Sequence, residues 1–82
     1  MPLKLYNKKI ANEIRVINPP YPGLRMDIVE HPGMLSIRFY EENLNKFNDM
    51  QHISIMEYAH MIKKIIESHK IPCDLEAIRD EQ

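Results

Sequence analysis

One stretch limits the possible folds more than any other. Leu24, Met26 and Ile28 alternate with Arg25 and Asp27; His31, Pro32 and Gly33 interrupt; then Leu35, Ile37 and Phe39 alternate with Ser36 and Arg38. Apolar residues with a period of two line one face of a strand, so the pattern predicts a β-hairpin over residues 24–40. Pairing Ile28 with Leu35, Met26 with Ile37 and Leu24 with Phe39 gathers all six apolar side chains on one face. That register leaves residues 30–33 as a four-residue loop, with Pro32 and Gly33 suited to the centre of a type II turn. The other face then sets Arg25 across from Arg38, with Asp27 diagonal to Arg38, a cationic spot open to an anion or an acidic partner.

A hairpin alone is marginal in water, and its apolar face needs cover. Residues 41–49 can form a short helix with Glu41 and Glu42 in its first turn, where the helix dipole favours acids. Ser54 and Glu57 fit a capping box, and Ile53 with Tyr58 fits the accompanying hydrophobic staple. Downstream, Ile55, Ala59, Ile62 and Ile66 form an apolar stripe widened by Tyr58 and Ile65, which predicts a helix over 55–69 ending before Pro72. Asp74 can cap a last helix over 74–81 that uses Leu75 and Ile78 as apolar contacts. The expected fold class is α+β: an antiparallel β-hairpin packed against a C-terminal amphipathic helix. Residues 13–17 are a candidate third strand because of their β-branched content, although Ile10, Ile14 and Ile17 also stand at helical spacing.

Residues 18–23 contain three prolines, which fix φ and remove backbone donors, so neither a helix nor a central strand continues through them. They divide the chain into an extended N-terminal arm with its connector, 1–23, and a body, 24–82. The formal charge of −1 hides a polarity between these parts. Lys4, Lys8, Lys9 and Arg15 against Glu13 leave the arm at +3, whereas Asp74, Glu76, Asp80 and Glu81 against Arg79 leave residues 72–82 at −3.

Size and composition bound the rest. With 82 residues the chain is at most one domain with a thin core, to which a partner can add stability. Its 44% hydrophobic and 28% charged content is that of an ordinary folding domain. A single cysteine, Cys73, forms no internal disulfide and favours a reducing compartment. No apolar run approaches the roughly 20 residues of a membrane span, and the N-terminus lacks the apolar stretch of a signal peptide. The expected location is cytoplasmic, with nuclear or cytoskeleton-associated placement as variants.

Chemistry-bearing patterns are sparse. His52, Met56 and His60 are spaced by four, as are His69 and Cys73, yet a structural zinc site needs four ligands in local pairs and none is expected here. Asp74 and Glu76 beside Cys73 oppose thiolate formation, and the two glycines, Gly23 and Gly33, build no phosphate loop. No catalytic residue, cofactor or metal is expected. Pro19 and Pro22 have PxxP spacing but lack a basic residue at a suitable offset, so the segment reads as a stiff connector. A nucleic-acid adaptor would use the arm lysines with Arg15, Arg25 and Arg38, but the near-neutral balance disfavours it. Six methionines, with Met61 off the main stripe, point to surplus apolar surface adaptable to protein contact.

The sequence therefore suggests a non-catalytic interaction or structural subunit. It would dock on a larger protein assembly, cytoskeletal or otherwise, through Tyr6, Ile10, Ile14, Tyr21, Arg25, Arg38 and Met61. Homodimerisation through surplus helix surface is the alternative, followed by a nucleic-acid role for the basic arm.

Overall fold

The computed structural model describes residues 4–79. Residues 1–3 of the expected arm and residues 80 and 81 of the expected last helix lie outside the described residues. The elements run α1 (Lys8–Arg15), β1 (Met26–His31), β2 (Met34–Tyr40), α2 (Glu41–Leu44), α3 (Asp49–Ser68) and β3 (Cys73–Ile78). The strands form one sheet in the order β1-β2-β3, with β1 antiparallel and β3 parallel to β2. The fold is thus α+β with a mixed sheet, and its long helix is central in the chain, the crossover that a parallel pair requires.

The hairpin exists, with its register moved by two residues. Ile28 pairs with Ile37, Met26 with Phe39 and His31 with Met34, which leaves Pro32 and Gly33 as a two-residue turn. Proline fixes the first central φ and Gly33 supplies φ +77° at the second, so the type II geometry survives inside a tighter loop. A shift of two preserves the face of every side chain, and for that reason the alternation could not distinguish the two registers.

Other expectations are corrected. Residues 8–15 form a helix, not an extended arm or a third strand: the Asn7 side chain accepts from Ile10 N at 3.0 Å, and Ile10 and Ile14 are buried one turn apart. A strand would have put Val16 on the face of Ile14, but Val16 is 79% exposed. Helix α3 starts six residues before the expected position 55. Asn48 and Gln51 form its capping box, with Asn48 Oδ1 accepting from Gln51 N at 2.8 Å and Gln51 Oε1 accepting from Asn48 N at 2.9 Å. Residues 73–78 form a strand in place of the expected helix, because Cys73, Leu75 and Ala77 alternate with Asp74, Glu76 and Ile78.

The helices cover one face of the sheet. Ile10, Ile14, Leu35, Ile37, Phe39, Ile55, Tyr58, Ala59, Ile62, Ile66, Ile71 and Cys73 form the core, so the first helix is part of the body. His69 Nε2 meets Glu13 Oε1 at 2.8 Å and links the end of α3 to α1. The proline connector is held as well. Asn43 on α2 donates to Gly23 O at 2.8 Å and accepts from Arg25 N at 2.7 Å, while Tyr21 packs on Phe47 with ring centroids 5.6 Å apart.

Candidate interaction surface

Leu35 N donates to Pro72 O at 2.9 Å, which fixes the hydrogen-bond phase of the parallel pair. In a parallel ladder one residue bonds to the two that flank its partner, so Leu35, Ile37 and Phe39 engage the even-numbered peptide groups of β3. The N–H and C=O groups of Cys73, Leu75 and Ala77 therefore point away from β2. Among the described residues no strand pairs with that side. At the opposite margin, the Glu30 carboxylate near the end of β1 accepts from Leu5 N at 2.7 Å and Tyr6 N at 3.4 Å and so ties the N-terminal segment to that strand.

Beside the β3 edge, Phe39, Leu44, Met56, Leu75, Glu76 and Ala77 line a shallow groove of about 240 Å³. Its walls are almost wholly apolar, and the Met56 thioether is partly exposed there. The volume falls below the roughly 300–1,000 Å³ typical of small-molecule pockets and is on the scale of side chains.

The sheet face away from the helices carries a polar ladder. Ser36 Oγ donates to Asp74 Oδ1 at 2.8 Å, Arg38 Nε pairs with Glu76 Oε2 at 2.5 Å, and the Tyr40 hydroxyl donates to Asp27. The Arg25 guanidinium lies 3.7 Å from the centroid of the Tyr40 ring. Hydrogen bonding to Glu76 raises the Arg38 pKa, and hydrogen bonding to Asp27 raises that of Tyr40. The expected cationic spot is thus answered by acids: Asp27 stands directly opposite Arg38, with Glu76 on its other side.

The residues singled out from sequence scatter. Ile10 and Ile14 are core; Tyr6 and Tyr21 are half-buried against it; Arg25 and Arg38 flank Tyr40 on the polar face; and Met61 is 48% exposed on the outer side of α3. On the surface only the two arginines come together, while Ile10 and Ile14 meet in the core, with Tyr6 and Tyr21 packed against it. The β3 edge has a signal in the sequence, the period-two alternation from Cys73 to Ala77, which the helical spacing of Leu75 and Ile78 obscures. Lys8, Lys9 and Arg15 are exposed on α1.

Burial raises the Cys73 thiol to about 11, which leaves it a poor nucleophile at neutral pH. Among the described residues no three His, Cys, Asp or Glu side chains gather as cation ligands, and no helix is long and apolar enough to cross a membrane. No protein-family model matches the chain, and neither a curated protein nor a solved structure matches it.

Proposed function

We propose that this chain is a non-catalytic protein-interaction domain that takes an extended segment of a larger assembly onto the free edge of β3. The observation that carries this reading is the pair of outward peptide groups at Leu75 and Ala77 beside an apolar groove. Unpaired strand edges template further pairing, in which main-chain hydrogen bonds supply affinity and alternate side chains supply selectivity. The docking surface thereby moves from the N-terminal arm, whose isoleucines are occupied in the core, to the other end of the chain.

The test is a capture experiment with the full chain and its Ala77→Pro variant. Proline at 77 removes one outward N–H, the placement an edge strand tolerates, and leaves the bonds to β2 intact. The reading expects partners that wild type retains and the folded variant loses, with folding checked by circular dichroism. Equal retention by both overturns it.

A second reading, self-association, is favoured by Met50, Ile53 and Met61, which are 78%, 61% and 48% exposed on α3. It expects a dimer in sedimentation that Ile53→Asp converts to monomer, and a wild-type monomer at 100 µM, about a hundred times a micromolar Kd, removes it.

A further inference from the structure

We infer that the occupant of the β3 edge is a basic strand, an extended peptide in which lysine or arginine alternates with apolar residues. This rests on the interaction reading of the same edge and specifies the partner's chemistry. Side chains of paired strands share faces, so the faces of β3 dictate those of any strand added to it. On the helix side, Leu75 and Ala77 adjoin the groove completed by Phe39, Leu44 and Met56, which favours apolar side chains from the incoming strand. On the other side stand Asp74, Glu76 and Ile78. Each carboxylate has two oxygens and several lone pairs. Asp74 accepts from Ser36 and Glu76 from Arg38, and one such bond leaves each carboxylate with further acceptor capacity. A cation placed opposite them gains a cross-strand pair; an acid there is repelled.

The same carboxylates weigh against a second copy as occupant. Antiparallel pairing about a two-fold axis that keeps both helix layers on one side requires residues of like parity to face each other. Centred on Leu75, it sets Asp74 against the copy's Glu76; centred on Glu76, it sets that glutamate against its own counterpart. These two registers pair most of β3, and both oppose like charges.

The test uses two labelled hexapeptides, acetyl-Lys-Val-Lys-Val-Lys-Val-amide and its glutamate counterpart, titrated into the full chain with anisotropy as readout. The lysine peptide is expected to bind at least about tenfold more tightly than the glutamate peptide, and several-fold less tightly to an Asp74→Asn/Glu76→Gln variant. Its binding should disappear in Ala77→Pro, a control that separates edge pairing from general attraction to acidic surface. Equal affinity for the two peptides, no binding of the lysine peptide, or undiminished binding to folded Ala77→Pro overturns the inference. So does a wild-type dimer that Ala77→Pro dissociates, which would make a second copy the occupant. If Ala77→Pro loses a captured partner while the peptides show no charge preference, the interaction reading stands and the basic-strand inference falls.

Discussion

Lys70 holds φ +63° directly after α3, where Lys70 N donates to Glu67 O at 2.9 Å and closes the helix. A side chain in that left-handed conformation costs on the order of 1 kcal/mol that glycine avoids. Lys70→Gly is therefore expected to raise the melting temperature by about 4–8 °C; an unchanged or lower value would contradict the cap. Cys73 gives a pH-dependent counterpart. Its thiol is raised from 9.0 to about 11 chiefly by burial, so between those values the unfolded chain releases a proton that the folded chain keeps. Stability is fully present below about pH 9 and falls as pH rises towards 11. In Cys73→Val that part of the alkaline loss disappears, as denaturant titrations at pH 8 and pH 10.5 would register. Sequence shows neither feature: Lys70 has no glycine to mark the turn, and the burial of Cys73 depends on a strand over Cys73–Ile78 where the spacing of Leu75 and Ile78 points to a helix over 74–81.

At the level of elements, competition between local signals decided what was legible. Two capping patterns lie six residues apart, Asn48 with Gln51 and Ser54 with Glu57, and the first sets the start of α3. Asn48→Ala should then cost about 1 kcal/mol, whereas Ser54→Ala, inside the helix, should cost much less. Paired melting curves separate the two. The hairpin was readable because its alternation is long and Pro32-Gly33 permits one reversal; its register was not, because a two-residue shift leaves every face unchanged. In α1 the β-branched residues argued for a strand, but Asn7 and the packing of Ile10 and Ile14 overrode that propensity. For β3, Leu75 and Ile78 at helical spacing obscured the alternation around them. Its pairing with β2 also spans the whole of α3, a long-range contact that no local pattern announces.

In the whole molecule, one helical layer lies on three strands, and the shortest principal dimension is 17 Å. Such a thin body depends on every element. The division into an arm, 1–23, and a body, 24–82, does not make the arm dispensable for folding: Ile10 is fully buried, and Ile10→Ala should cost about 2–5 kcal/mol. Cooperative melting retained after truncation would contradict a core that includes α1. The same thinness leaves β3 at a margin where, among the described residues, no further strand pairs with it, and the proposed function depends on that edge. Residue-resolved amide hydrogen exchange on the free chain tests it most directly. The structure predicts alternating protection along β3, with Asp74, Glu76 and Ile78 slow because they bond to β2, and Leu75 and Ala77 fast because they face solvent. Uniform protection of all five amides, or of none, would contradict an open edge on a docked strand.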